Sequence, residues 1–546
     1  MTTLTDAQAA FASKALKGEN IVAVGYPGSG KTFMGCHVFR LLPQDIQDKT
    51  IVTAFNVHSR KSFERQLGKR HNITTLNGLA WRMVSRYFGL DYETWKVDAY
   101  RHTRFITMFA HQYWEEANGI YTPDQLQAMD DLDRVISMVM STVIDYSDEE
   151  KVVRMSEKFG VEMSDMSFIM QGLPVVMEWI INGLPEHMAY RGNRYRIEDG
   201  YAHDDLPYLV AAWKDERGKH IIPAIQCKAI MADEQQDQSI ANTKTILRCL
   251  TSDGSLDVRR MVGQYIGFGD QNQALYYFRF VHGDMFGRIV NGFNASVVEM
   301  NTSFRLPKSA IPDAQSFVPS IRCADNAIEG EIHRTDVNGM LDHFGPGVKG
   351  IMLTKAQCVK HAYYGIRHGF GCVVRGKNIA ADQKELLTEL EKDKGFKFDE
   401  LPEALETWMD GQKEFLKRRY KRTAPDKIQA MTERALSLQY MWDGAYQEGV
   451  RDSKKFRQRI DKMFVREEDD ADAYSNATEF MTGHAAKGLE FDNVILETAD
   501  MTSVRAGGTP EEAKQHRNTQ YVMQTRHMKK KVMVSEAEIV RNFQRW

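Results

Sequence analysis

Gly25-Tyr-Pro-Gly-Ser-Gly-Lys31-Thr32 fits the pattern GxxxxGK[ST], and its surroundings are those the pattern requires. The apolar run Ile21-Val22-Ala23-Val24 before it reads as a buried strand, and a helical run from Thr32 to about Leu42 follows. Gly25, Pro27, Gly28, Ser29 and Gly30 form a small-residue loop whose backbone N–H groups can wrap a phosphate chain, and the helix start adds positive dipole potential. Lys31 is placed to reach the terminal phosphates and the Thr32 hydroxyl to ligate Mg²⁺. These eight residues predict a parallel α/β domain that binds a nucleoside triphosphate.

Such a loop needs acids to hold the metal and activate water. Asp233-Glu234-Gln-Gln-Asp237 directly follows the strand-like Lys228-Ala-Ile-Met-Ala232. Asp233 is the candidate metal carboxylate, and Glu234 the candidate base for the attacking water. A further strand-like run, Met261–Gly267, leads to Gly269-Asp270-Gln-Asn-Gln273, where Gln273 is placed to sense the γ-phosphate. The next segment, Leu275-Tyr-Tyr-Phe-Arg279, interleaves aromatics with a cation. Tyr276, Phe278 and Arg279 therefore suit stacking on the bases of a single strand.

The rest of the chain is less specific. Lysine and arginine total 71 against 74 acids, so the overall charge does not advertise nucleic-acid binding, and local grooves must decide it. Two charge runs stand out: a basic one, Lys417–Arg422, read as a solvated helix face or a phosphate-backbone contact, and an acidic one, Glu467–Asp472, read as an exposed loop. No apolar stretch approaches a membrane span of about 20 residues. The six cysteines form no CxxC pair, which argues against a zinc or iron–sulfur site and for a reduced cytoplasmic setting.

Strand and helix signals alternate twice, each time interrupted by a helical stretch. The organisation expected is residues 1–84 and 205–304 as a first α/β domain, with a helical insertion at 85–204. A second α/β domain takes 305–380 and 475–546, with a smaller insertion at 381–474.

With the motifs in hand, the chain resembles superfamily-1 DNA helicases of the UvrD/Rep/PcrA type, from Gln8 to Arg526. Gln8 falls where that family's Q motif selects adenine, although Thr5-Asp-Ala-Gln8 is also a helix capping box. Ile51–Asn56 resembles motif Ia, which implies DNA contacts from Phe55 and Asn56. Thr74–Ala80 resembles a further DNA-contact motif, with Asn77 where histidine is usual. Asn301-Thr-Ser-Phe304-Arg305 resembles the Asn-Tyr-Arg motif and implies Phe304 on adenine and Arg305 on the γ-phosphate. Thr482–Phe491 resembles motif V, with Glu490 on the ribose and Thr482 and His484 near DNA. Tyr521–Arg526 resembles motif VI and implies Arg526 as a second arginine finger.

The resemblance implies two RecA-like parallel-sheet domains, each with a helical insertion, clasping ATP and Mg²⁺ and moving 3′→5′ along single-stranded DNA or at single-strand/duplex junctions. Catalysis would rest on Lys31, Glu234, Gln273, Arg305 and Arg526. A compact build also fits a phage-encoded enzyme. Departures exist: Phe33 stands where arginine is frequent, Phe280-Val281 replace Gly-Ala, His516 replaces an acid, and the stretch from Arg305 to Thr482 is short. Three alternatives stay open at this level. They are a 5′→3′ relative, a non-unwinding ATP-dependent DNA-binding regulator, and a small P-loop kinase.

Overall fold

The computed structural model describes residues 4–69, 71–91, 93–115, 120–189, 193–375, 379–420, 424–465, 477–502 and 510–535. Contacts divide the chain into two units, Met1–Asn301 and Thr302–Trp546.

In the first unit, β1 (Ile21–Gly25), β2 (Thr50–Ala54), β3 (Asn72–Thr75), β4 (Ala229–Ala232), β5 (Gln264–Gly269) and β6 (Ser296–Met300) form one sheet in the order β3-β2-β4-β5-β1-β6. Every pairing is parallel, with Ile21 opposite both Ile266 and Ser296. Parallel strands need crossovers, and the helices supply them while burying both sheet faces. That is why β1, β2, β4 and β5 read as continuous apolar or fully buried runs.

Between β3 and β4 the chain leaves the sheet to build a helical insertion, including Arg101–Trp114, Pro123–Thr142, Glu149–Phe159 and Met166–Asn182. One apolar core runs from this insertion onto one face of the sheet, and a second covers the other face. Arg101 is fully buried within the insertion. It donates to Asp205 Oδ2 at 2.9 Å and to the carbonyls of Ile180 and Tyr195, while His102 Nε2 lies 2.7 Å from Asp205 Oδ1.

The second unit opens with a two-stranded pair, β7 (Thr302–Ser303) and β8 (Arg322–Cys323). Its main sheet contains β9 (Glu331–Asp336), β10 (Val348–Met352), β11 (Cys372–Arg375), β12 (Phe464–Val465), β13 (Thr478–Thr482), β14 (Phe491–Glu497) and β15 (His527–Ser535). The order is β12-β11-β13-β10-β14-β15-β9, again with parallel pairings. Helices Ile379–Leu390, Leu401–Tyr420, Ala424–Gln447 and Ser453–Met463 are inserted between β11 and β12. The expected fold class, two parallel-sheet α/β bodies each carrying a helical insertion, is the observed one.

Two differences are instructive. The strand expected over Met261–Gly267 begins at Gln264, because Val262 and Gly263 both donate to the Leu250 carbonyl, beside the antiparallel bridge of Met261 to Thr251, and so are not yet on the sheet's ladder. Strands β3 and β6 lie beyond what the sequence pattern predicts. They sit at the sheet's edges, where β6 alternates between part-buried and exposed positions and lacks the apolar signature of its neighbours. Of the charge runs, Lys421, Arg422 and the whole of Glu467–Asp472 lie outside the described residues, and Lys417 sits on the helix Leu401–Tyr420.

Candidate nucleotide and nucleic-acid site

A parallel sheet delivers all its strand ends to one edge, and ligands bind at the carboxyl ends. In the first unit that edge carries the P-loop after β1, Phe55 and Asn56 after β2, Asn77 shortly after β3, Asp233 and Glu234 after β4, and Asp270 after β5. Residues far apart in the chain are gathered there by strand direction alone.

The P-loop closes with Ser29 N–H donating to the Tyr26 carbonyl at 3.0 Å, and the helix Lys31–Leu41 starts at Gly30 with no side-chain cap. Its first N–H groups are thus left for an anion. Ser29 Oγ is buried and has no hydrogen-bond partner among the described residues, which also fits a phosphate oxygen. Lys31 Nζ donates to the Gly25 carbonyl at 2.8 Å. Gly25 is required here, because a Cβ at that position would run into the stem of Lys31.

Gln8 does not choose between its two expected roles by giving up the capping box. Its Oε1 accepts from the Thr5 N–H at 3.1 Å, while its Nε2 donates to the Ser29 carbonyl at 3.1 Å. One amide therefore caps the first helix and ties it to the P-loop.

Asp233 is buried and its N–H donates to the Thr53 carbonyl, fixing it at the β4 edge. Glu234 adopts φ 49° and ψ 44°, the left-handed region, at a cost of about 1–2 kcal/mol for a residue with a side chain. Strain of this kind is typical of functional positions. Asp270 is fully buried; burial pushes its carboxyl above the ordinary range, the Lys31 charge opposes this, and Glu234 adds to it. Gln273 Nε2 donates to Asp270 Oδ2 at 2.8 Å, so the expected γ-phosphate sensor is held by an acid that sequence reasoning left without a role. Its position at a strand end, equivalent to that of Asp233, was the available signal.

A cavity of about 640 Å³ lies in the same unit. Phe55, Asn56, Asn77, Tyr276, Phe278 and Arg279 all line it, so the structure brings together every DNA-contact candidate of the first unit. Phe55 and Tyr276 are 4.9 Å apart between ring centroids, and Tyr276 and Phe278 5.9 Å. The rings form a stepped aromatic wall. The helical insertion contributes the facing residues Asp133, Arg134 and Ser137, which the sequence motifs did not reveal. Phe280 also lines the cavity. It takes φ 58° where the resembling family has glycine, and it packs edge-on against Phe159 at 5.6 Å.

In the second unit the candidates divide. Arg305 Nε donates to Glu490 Oε2 at 2.6 Å. Arg526 is buried and donates to the carbonyls of Leu489 and Val522, and Phe491 N–H donates back to the Arg526 carbonyl. Glu490 and Arg526 therefore sit side by side at the amino ends of β14 and β15, with Arg305 on Glu490. Thr482 and His484 lie at the opposite edge, Thr482 as the last residue of β13 and cap of a short helix, His484 within that helix. Phe304 is exposed.

Comparison with known families bears directly on this arrangement. The family model described as the UvrD-like helicase C-terminal domain matches residues 100–538. The chain belongs to the UvrD-like helicase family. No curated protein matches it. The match covers most of both units, including the strand ends that carry Asp233, Arg305, Glu490 and Arg526. As a UvrD-like superfamily-1 helicase, the chain combines two RecA-like parallel sheets. None of its described helices is long and apolar enough to cross a membrane.

Proposed function

We propose that this UvrD-like protein is an ATP-driven single-stranded DNA translocase and 3′→5′ helicase. The observation that carries the reading is the shared sheet edge. The P-loop and its acids occupy the carboxyl ends of β1, β4 and β5, and the aromatic cavity is built from the loops after β2, β3 and β5. A change at one set of loops is mechanically close to the other.

Lys31 and the P-loop amides would bind the ATP phosphates, and Thr32 and Asp233 would hold Mg²⁺, which when bound neutralises charge on the transferring phosphoryl group. Glu234 would orient and deprotonate water, and Gln273 would register the γ-phosphate. From the second unit, Arg305 and Arg526 are proposed to stabilise transition-state charge, Arg526 once it leaves the Leu489 and Val522 carbonyls, and Glu490 to accept from ribose once Arg305 releases it. A guanidinium suits this role because its planar donors match phosphate oxygens. Tyr276 and Phe278 would stack on bases, and Asn56, Asn77 and Arg279 would hold the backbone.

The test is ATPase activity with and without single-stranded DNA, followed by unwinding of duplexes with 3′ or 5′ tails. The expected result is DNA-stimulated hydrolysis, abolished in Lys31→Ala, with unwinding from 3′ tails. Hydrolysis indifferent to DNA would overturn the motor reading. Unwinding from 5′ tails alone would reverse the polarity, and stimulation without unwinding would leave a translocase or a DNA-bound regulator.

A further inference from the structure

Gln236 stands between Glu234, the candidate hydrolytic acid, and Asp237, which lines the aromatic cavity, and its side chain bonds to both. Its side chain is buried. Nε2 donates to Glu234 Oε2 and, at 3.1 Å, to Asp237 Oδ2. Oε1 accepts from the Asp270 N–H at 3.0 Å. Asp237 passes the chain on: its other oxygen accepts from the Leu275 N–H at 3.3 Å, and Asp237 itself lines the cavity together with Tyr276, the residue after Leu275.

The amide has one permitted orientation. Both N–H bonds meet carboxylates and the oxygen meets a backbone donor, so a flip would set oxygen against two carboxylates and N–H against N–H. The close approach to β5 depends on Gly269, where a Cβ would collide with Gln236 Oε1. Buried, fully satisfied networks of this kind are stiff, because in a low-dielectric interior every broken bond leaves an unsolvated charge or dipole. Glu234 is the member most sensitive to its restraints, since its backbone is already held in the left-handed region.

We infer that Gln236 is the positioning residue that couples DNA in the cavity to the setting of Glu234. This rests on the motor reading above. A base stacked on Tyr276 displaces the Leu275–Tyr276 backbone. Asp237 follows through its bond to the Leu275 N–H, Gln236 follows Asp237, and the Glu234 carboxylate is re-aimed. Gln236 does not itself line the cavity, so its part is transmission, not binding.

The experiment measures the ratio of DNA-stimulated to basal ATPase rate in the full chain, with oligo(dT) as the probe and its Kd read in parallel. Gln236→Leu keeps the side chain's bulk and removes all three bonds. Losing hydrogen bonds to two carboxylates is expected to lower the stimulation ratio by about tenfold or more. The oligo(dT) Kd stays that of the native protein. Asp237→Asn is the second variant. Its oxygen still accepts from Leu275, but its new N–H₂ opposes Gln236 Nε2, so the relay breaks at one link without loss of volume. The double variant is expected to be no worse than either alone, as members of one chain are non-additive. A Gln236→Leu protein that keeps the native ratio overturns the inference. So does one whose basal and stimulated rates fall in equal proportion, since that is the signature of a merely structural role. Native protein that ignores oligo(dT) altogether would instead defeat the motor reading on which the inference stands.

Discussion

Phe278→Ala separates stacking from charge in DNA binding. The Phe278 ring lines the cavity yet is 59% exposed, and the Tyr276 ring lies 5.9 Å from it between centroids. Truncating it removes little internal packing, so the change in folding stability is expected to stay within about 0.5 kcal/mol. If a base stacks on the ring, the loss is about 1–3 kcal/mol of binding, which is about 5- to 150-fold in Kd. Stacking releases no counterions, so the slope of log K against log salt is unchanged. Arg279→Ala, which removes a cation from the same wall, is expected to flatten the slope by about 0.7 for a single strand. Fluorescence anisotropy with labelled oligo(dT) across a salt series reads both quantities at once. Tyr100, 70% exposed and away from the cavity, supplies the control substitution Tyr100→Ala, for which no change is expected. The reasoning fails if Phe278→Ala binds as tightly as the Tyr100→Ala control, or if its salt slope shifts as Arg279→Ala does.

Two predictions concern the architecture that holds the site. Arg101→Met should destabilise the first unit by about 3–5 kcal/mol in denaturant unfolding, because among the described residues Asp205 then keeps a buried charge against the His102 side chain and the Ala202 N–H, with no guanidinium beside it; adding Asp205→Leu should recover part of that loss. In the second unit, burial and the neighbouring Glu497 push the Asp500 carboxyl up to about 6, against hydrogen bonds from Gln357 and the Leu353 N–H. The folded state therefore favours protonated Asp500. Its contribution of about 2–3 kcal/mol is complete below about pH 4 and is lost as pH rises through about 6. Thermal unfolding of Asp500→Asn should show a flatter pH dependence between about 4 and 6 than the native chain, and an unchanged profile would count against this account.

Much of the active edge was legible in the chain because its signals are local. An apolar strand, a run of small residues and a helix start lie close together around Lys31, so a P-loop declares itself without knowledge of the rest. Asp233 and Asp270 sit directly after buried strands, and the same rule that found the first could have found the second. What escaped was contact between distant segments. Gln236 has no motif meaning by itself and acquires one only where β4 and β5 lie side by side. Asp133 and Arg134 reach the cavity because the insertion folds back over the sheet edge. Arg526 is a conspicuous guanidinium in the sequence, yet it is packed among the carbonyls of its own unit.

The amino-acid sequence alone determined that strands and helices alternate, where the phosphate loop begins, and which residue types stand at the strand ends. Those follow from short-range sterics, hydrogen bonding and the period of apolar residues, all set within a few neighbours along the chain. Only the tertiary structure decided the strand order, the meeting of Phe55, Asn77 and Tyr276 on one cavity, and the hydrogen-bond chain from Glu234 to Leu275. Pairings between segments far apart in the chain are selected by the burial of whole faces, and no local pattern encodes which face a strand will meet.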